Sequence, residues 1–92
     1  MKIGIYFSSE SRDKAEELFY SLIEGTEPKS IRNNRTYGLS CEFKNGDCIR
    51  MIRISEQSRG YRSDIVYVPL NIDEEILHTI ILPAVLHELK FY

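Results

Sequence analysis

Arginines carry most of the chemistry that this sequence offers. Residues 31–62 contain six arginines and one lysine against three acids, a net charge of +4, which leaves −6 for the remainder of a chain whose total is −2. Within this stretch Arg32, Arg35, Arg59 and Arg62 lie near tyrosines. A guanidinium group can grip phosphate with two hydrogen bonds, and a tyrosine ring can stack on a base. The pattern therefore predicts a surface that binds nucleic acid or a nucleotide.

The segment Arg59-Gly60-Tyr61-Arg62 is the strongest candidate for a functional loop. Gly60 permits backbone conformations that other residues resist, and the segment directly precedes a predicted buried strand, where α/β sheets often present ligand loops. The alternative is that Arg59 and Arg62 pair with acids such as Asp64 or Glu56 and only order the loop. The acidic pI of about 5.7 argues against a general DNA-binding protein.

Arg50 and Arg53 are interpreted differently, although they belong to the same basic stretch. They are three residues apart on a predicted strand and therefore project from opposite faces, which does not suit a single anion pocket. The sequence predicts that both are ion-paired surface residues.

Cysteines and histidines form no catalytic or metal-binding pattern. Cys41 and Cys48 flank a turn and are expected to lie diagonally across two strands, too far apart for a disulfide. Two thiols and two distant histidines fall short of the four ligands of a usual zinc site. His78 and His87 would point to opposite sides of a continuous helix. We therefore expect no enzyme activity, no metal and no cofactor.

The elements that position these residues follow from length and periodicity. The chain has 92 residues, of which 42% are hydrophobic and 28% charged, and this predicts one globular domain over residues 1–92.

Residues 2–7 form an apolar run typical of a buried strand. Asn45-Gly46 joins two strand-like runs, 37–43 and 48–54, in a hairpin. Residues 64–69 predict another buried strand, ended by Pro69. The first helix is predicted from apolar residues at three- and four-residue spacing, Ala15, Leu18, Phe19, Leu22 and Ile23, and it stops at Gly25.

A second helix is predicted after Asn71 or Asp73, and Pro83 either kinks it or starts another helix. Its apolar stripe extends to Leu89 and covers more than one face. We expect a partner or a second copy of the chain to cover the exposed part, formed by Ile76, Ile80, Ile81 and Val85. The resulting order β-α-β-β-β-α predicts an α/β fold with a small mixed sheet of about four strands.

Several of these segments together suggest a family. An apolar first strand ends in small polar residues, and three further segments follow: Lys-Ala-Glu-Glu-Leu-Phe at 14–19, Phe-Lys-Asn-Gly-Asp-Cys-Ile at 43–49 and Ser-Arg-Gly-Tyr-Arg-Ser-Asp-Ile-Val-Tyr-Val at 58–68. From Ile3 to about Leu86 this succession resembles the ATPase core of phage terminase large subunits, which has a P-loop NTPase fold. The resemblance implies a phage or prophage protein.

The chain departs from that family at both halves of the hydrolytic machinery. It contains no Gly-x-x-x-x-Gly-Lys-Ser/Thr loop to cradle phosphates. Pro69-Leu70 stands where the family has an acidic pair that holds magnesium. Phosphoryl transfer depends on both features, so the resemblance implies a degenerate fold without ATPase activity.

Two functional hypotheses remain. In the first, the protein is a small non-enzymatic phage or prophage accessory protein that binds a protein partner, such as a packaging ATPase or a host factor, through its apolar stripe and a free sheet edge. In the second, the arginine-rich loops bind nucleic acid or a nucleotide.

No apolar stretch has the length of a membrane span. The chain is therefore expected to be soluble and cytoplasmic, in the host cytoplasm if a phage encodes it.

Overall fold

Strands in the described part of the chain form one mixed sheet. The computed structural model describes residues 1–35, 38–55, 58 and 60–92. Within them six strands are arranged in the order β2-β3-β4-β1-β5-β6. β1 is parallel to β4 and β5, and β5 is parallel to β6, whereas β2, β3 and β4 form an antiparallel meander. Their bounds are β1 Lys2–Phe7, β2 Ser30–Asn34, β3 Gly38–Glu42, β4 Cys48–Arg53, β5 Ser63–Val68 and β6 Val85–Phe91.

Helix α1, Arg12–Ile23, packs on one face of the sheet, called here the first face. Ala15, Phe19 and Ile23 recur at four-residue spacing, so one stripe of the helix is buried. This stripe meets the apolar side chains that β1, β3 and β4 project from the same face, Ile5, Phe7, Leu39, Cys41, Ile49 and Met51.

The C-terminal helical segment, residues 74–84, packs on the second face. Asp73 caps it, because its Oδ1 accepts the N–H groups of Glu75 at 2.9 Å and Ile76 at 3.3 Å. The segment begins as α-helix, widens into a π-helical turn at Leu77–Ile81 and tightens into a 3₁₀ turn at Leu82–Ala84. Its buried side chains Ile80, Ile81 and Ala84 lie against Tyr6, Ile52, Val66 and Val68.

The α/β class and the mixed sheet are confirmed, but the strand number is not. The described residues contain six strands rather than about four, with α1 and the C-terminal helical segment as helices. β2 is a polar edge strand without the apolar alternation that marks a strand in sequence. β6 was expected to continue the last helix. Instead Pro83 ends that helix, Val85 turns to an extended conformation, and the backbone pairs with β5.

Two local predictions agree with the structure. Gly46 has a φ of +90° between β3 and β4, as the Asn-Gly hairpin requires. Cys41 and Cys48 are free, and each pairs across the hairpin with another residue, Ile49 and Glu42 respectively.

Close packing between β1 and β5 explains one glycine. A Cβ at Gly4 would lie 2.8 Å from Ser63 Oγ and 3.1 Å from Ile52 Cδ1. The first of these distances is shorter than van der Waals contact, so the start of β5 needs a glycine beside it. Within the described residues, no helix has the length and apolar character needed to cross a bilayer.

Candidate anion-binding groove

The C-terminal helical segment covers the β1, β5 and β6 half of the second face and reaches Ile52 of β4. On the other half, Arg32 of β2 lies opposite Ser40 of β3, Ser40 lies opposite Arg50 of β4, and Arg50 lies opposite Gly4. Paired residues on neighbouring strands project from the same face. With strands about 4.8 Å apart, the Cα atoms of the two arginines are roughly 10 Å apart with a small serine between them. This uncovered half of the sheet is therefore polar and basic.

A groove of about 900 Å³ opens at the carboxyl end of β4. The pairing of β3 with β4 stops at Ser40 and Arg50, and beyond this point the Leu39 N–H donates to Met51 Sδ at 3.4 Å instead of to a strand carbonyl. The regular pairing of the two strands ends there, and the groove lies beside this point. Its lining includes Arg32, Asn33, Asn34, Gly38, Leu39, Ser40, Arg50, Met51, Ile52, Arg53, Ser55, Ser58 and Tyr61.

The groove has a positive charge, and no described residue forms an ion pair with its arginines. Its described lining residues include three arginines, Arg32, Arg50 and Arg53, and no carboxylate. None of the three forms an ion pair with another described residue. The Arg50 guanidinium carbon lies 5.7 Å from the centroid of the Tyr61 ring, a cation–π contact that steadies both side chains. A groove of this kind attracts anions.

Glu42 and Asp47, two acids of this half of the sheet, line a second depression of about 380 Å³ toward the opposite end of the strands. Arg32, Ser40 and Arg50 line both this depression and the groove. The Met1 ammonium donates to Asp47, and this hydrogen bond is the main cause that lowers the pKa of the Asp47 carboxyl. The charge of Asp47 is thus balanced by this ammonium group.

Similar serine contacts flank the carboxyl ends of the adjacent strands β1 and β4. The Ser8 N–H donates to Ser11 Oγ at 2.9 Å, and the Ser55 N–H donates to Ser58 Oγ at 3.2 Å. After β1 the chain continues into α1 on the first face, whereas after β4 it reaches Tyr61 over Arg50 on the second face. Open α/β sheets bind ligands where neighbouring connections leave on opposite faces. The groove lies beside such a point.

The structure brings together two of the residues that the sequence selected. Arg32 and Tyr61 both line the groove, although 29 residues separate them in the chain. Gly60 is exposed with a φ of +93°, in the left-handed region that its position was expected to use. Arg59 lies outside the described residues.

Arg35 and Arg62 are exposed but do not line the groove. Arg35 follows β2, and its carbonyl accepts a hydrogen bond of 2.6 Å from Arg12 Nη1. Arg62 forms no ion pair with Asp64, which instead accepts the Lys2 N–H at 2.6 Å and lies 3.4 Å from His87 Nε2. Asp64 therefore joins β1 to β6 at the amino ends of the strands. Glu56, the other acid with which the arginines were expected to pair, lies outside the described residues.

Sequence reasoning missed Arg50 and Arg53 as members of one site. They do project from opposite faces, but the groove lies where the regular pairing of β4 with β3 ends, and consecutive residues of β4 from Arg50 to Arg53 line it. The expected ion pairing of these arginines is absent among the described residues. The repeated Ser-x-x-Ser spacing after β1 and β4 is a sequence signal that could have indicated this edge of the sheet.

The predicted interface stripe belongs mainly to the interior of the chain. Ile80 and Ile81 are 5% and 0% exposed in the core of the second face. Ile76 and Val85 are half-buried and pack against the same core. The small sheet is wide enough to cover the helical segment, so these side chains do not need a partner to bury them.

Comparison of the chain with family models, with curated proteins and with solved structures found no match. The terminase resemblance and the phage or prophage origin therefore remain predictions. Among the described residues, no group of three His, Cys, Asp or Glu side chains could hold a metal ion.

Proposed function

We propose that the protein binds a phosphate-bearing ligand, a nucleic-acid strand or a nucleotide, in the groove at the end of β4, without catalysing a reaction on it. The observation behind this proposal is the set of Arg32, Arg50 and Arg53, which share one groove without an ion pair and without a carboxylate among its described lining residues. Arginine is the side chain best matched to phosphate, because its planar fork donates two parallel hydrogen bonds.

Tyr61 extends the site from phosphate toward a base. Its ring packs beside Arg50 on one side, and 45% of the residue is exposed. An aromatic ring held by a cation is a stacking platform for a nucleobase, and such stacking contributes about 1–3 kcal/mol per base. Ser40, Ser55 and Ser58 line the same groove. The hydroxyl groups of Ser40 and Ser55 can donate to phosphate oxygens, whereas the Ser58 hydroxyl already donates to the Ser55 carbonyl at 2.6 Å.

The protein-partner hypothesis has less support from the geometry. It relies on the stripe of the last helix together with a free sheet edge, and the central residues of that stripe are packed inside the chain. The phage accessory role rests on the terminase resemblance alone. The groove therefore favours the ligand-binding hypothesis.

Fluorescence anisotropy of a labelled single-stranded oligonucleotide tests the proposal. Arg32→Ala/Arg53→Ala should weaken binding by at least about 2 kcal/mol, since each charge-assisted bond contributes about 1.5–3 kcal/mol. The matched control Lys14→Ala/Lys44→Ala removes the same charge from exposed positions outside the groove and should change binding little. Equal losses in both variants, or no binding by the unmodified chain, would contradict a specific phosphate site for nucleic acid.

Two further measurements distinguish the sources of the phosphate. Binding of a strand should weaken steeply with salt, by a slope of roughly 2 in log Kd against log salt for three phosphate contacts, whereas a mononucleotide should compete weakly. Tight binding of a mononucleotide would instead assign a nucleotide site. Tyr61→Ala should weaken the binding of a base-bearing ligand but not that of inorganic phosphate.

A further inference from the structure

The outer edge of β6 is the feature that the proposed function leaves unused. Among the described strands β6 is the last of the sheet, and it pairs with β5 on one side only. Leu86 and Phe91 of this seven-residue strand are 50% and 48% exposed. Edge strands with apolar side chains tend to pair with another strand unless charge, proline or distortion prevents it. By contrast β2, at the other edge, is short and protected by Arg32, Asn33 and Asn34.

The backbone bonds show which groups of β6 point outward. The Tyr92 N–H donates to the Val68 carbonyl at 2.9 Å, and the Tyr92 carbonyl accepts the Leu70 N–H at 2.8 Å, so Tyr92 faces β5. The direction of the backbone N–H and C=O groups alternates from one residue of a strand to the next. These groups of Lys90 and Glu88 therefore also point toward β5, and those of Leu89 and Phe91 point away from the sheet. The irregular pairing of β5 with β6 lies before Glu88, so this part of the edge is regular.

An antiparallel copy of the same strand fits this edge in one register. Residues whose backbone N–H and C=O groups point outward must pair with residues of the same kind in the second copy. A two-fold axis within the regular part of β6 then passes through residue 88, 89 or 90. An axis at residue 88 sets Glu88 against Glu88, and an axis at residue 90 sets Lys90 against Lys90; like charges directly opposite each other are destabilising. An axis at Leu89 sets Glu88 of each copy against Lys90 of the other. Within one chain Lys90 Nζ lies 3.8 Å from Glu88 Oε1, so the two side chains are on the same side of the strand.

We propose that a second copy of this chain pairs antiparallel with the edge of β6, with the two-fold axis at Leu89. The two sheets then form one continuous sheet, and the second faces of both copies lie on the same side of it. The grooves remain open, because they lie beyond β1 on the β2–β4 half of each sheet. The paired segment is short, so the dimer is weak and depends on concentration.

Charge exchange tests the proposal through sedimentation velocity over a wide range of protein concentration, at about 0.15 M salt. Glu88→Lys and Lys90→Glu should each raise the dimer Kd by about tenfold or more, because each places like charges opposite each other on both sides of the axis. The double variant Glu88→Lys/Lys90→Glu restores opposite charges and should return the Kd to that of the unmodified chain. The exposed pair on α1, exchanged as Lys14→Glu/Glu17→Lys, should leave the Kd unchanged.

An unmodified chain that is monomeric at every concentration would overturn the proposal. A double variant as weak as the single variants would overturn it as well. Far-ultraviolet circular dichroism of each variant separates loss of pairing from loss of fold.

Disulfide trapping tests the register independently. In a Cys48→Ser background, chains carrying Glu88→Cys are mixed with differently tagged chains carrying Lys90→Cys and oxidised mildly. Residues 88 and 90 would form a non-hydrogen-bonded pair with Cα atoms about 4.5 Å apart, within the range of a disulfide. Only the mixed species should be cross-linked. Cross-linking of the Glu88→Cys chain with itself would show an axis at residue 88 and overturn the register at Leu89.

Discussion

Two tyrosines near the carboxyl end of β1 differ in how their hydroxyl groups are satisfied. Tyr92 Oη donates to the Tyr6 carbonyl at 2.6 Å. The Tyr6 ring projects from the second face into the core and is 0% exposed, and its own hydroxyl has no hydrogen-bond partner among the described residues. A buried hydroxyl without a partner costs about 1–3 kcal/mol. The hydroxyl group of Tyr92 thus stabilises the folded chain, whereas the hydroxyl group of Tyr6 destabilises it.

Opposite effects of the same substitution are expected at these positions. Tyr6→Phe removes the unsatisfied group and should raise the free energy of unfolding by about 1–3 kcal/mol, whereas Tyr92→Phe removes a made hydrogen bond and should lower it by about 0.5–1.5 kcal/mol. Tyr20→Phe, at an exposed residue, is the neutral control. Urea unfolding measures all three. A destabilising Tyr6→Phe would show that the Tyr6 hydroxyl has a partner in the folded chain.

At the scale of elements, the C-terminal helical segment shows how burial changes between neighbouring residues. Ile81 is 0% exposed against the sheet, while Leu82 is 40% exposed. Pro83 follows directly and tightens the last turn before β6 begins. The segment therefore acts as the layer that covers the second face beside the groove.

Glutamate substitutions at these two neighbours should separate core from surface. Ile81→Glu places a charge in the apolar core and should cost at least about 3 kcal/mol, giving unfolded or insoluble protein. Leu82→Glu should change the free energy of unfolding by less than about 1 kcal/mol. Thermal unfolding followed by circular dichroism measures both. A folded, soluble Ile81→Glu variant would contradict the core position and revive the interface hypothesis for this stripe.

At the scale of the whole molecule, the burial of ionisable side chains limits the stability of the fold at high pH. Burial raises the pKa of Tyr6 to about 12, with a smaller contribution from Tyr61, and burial also raises the pKa values of Tyr92 and Cys41. These groups are neutral in the folded chain, and an ionised form would have to be accommodated in apolar surroundings. The folded chain is consequently weakened when the solution favours their charged forms.

Stability should fall as the pH rises from about 10 to about 12. The pKa of Tyr6 is about 12 in the folded chain and 10.0 in the unfolded chain, so its contribution is complete below pH 10 and is lost as the pH rises to 12, by about 3 kcal/mol at most. Urea midpoints measured between about pH 8 and about pH 12 test this, and Tyr6→Phe should flatten the profile. An equal alkaline loss in Tyr6→Phe would assign the effect to other groups.

The basic and acidic stretches of the sequence lie in different parts of the fold. The basic stretch 31–62 becomes the β2–β4 half of the sheet and the described residues up to β5, while acids such as Asp73, Glu74 and Glu75 lie at the start of the C-terminal helical segment. The molecule is therefore polarised along the sheet. The proposed anion binding at the β4 groove and the proposed self-association at β6 belong to opposite halves of it.

Local patterns by themselves determined α1, the buried strands β1 and β5, the Asn45-Gly46 hairpin and the α/β class. Each of these depends on residues close together in the chain: apolar spacing within one helix face, an uninterrupted apolar run, or a glycine that tolerates positive φ. The structure agrees with all of them. The choice of Arg32 and Tyr61 also followed from local composition.

Tertiary structure alone decided that residues 30–34 and 85–91 are strands, and that Arg50 and Arg53 share a groove with Arg32. β2 has no apolar alternation, and Val85 and Leu89 have helical spacing, so the strand state of both segments comes from hydrogen bonds to β3 and β5. The groove lies where the regular pairing of β3 with β4 ends, beyond Ser40 and Arg50. Strand pairing and its interruption join residues distant in sequence, and no spacing within a single segment encodes them.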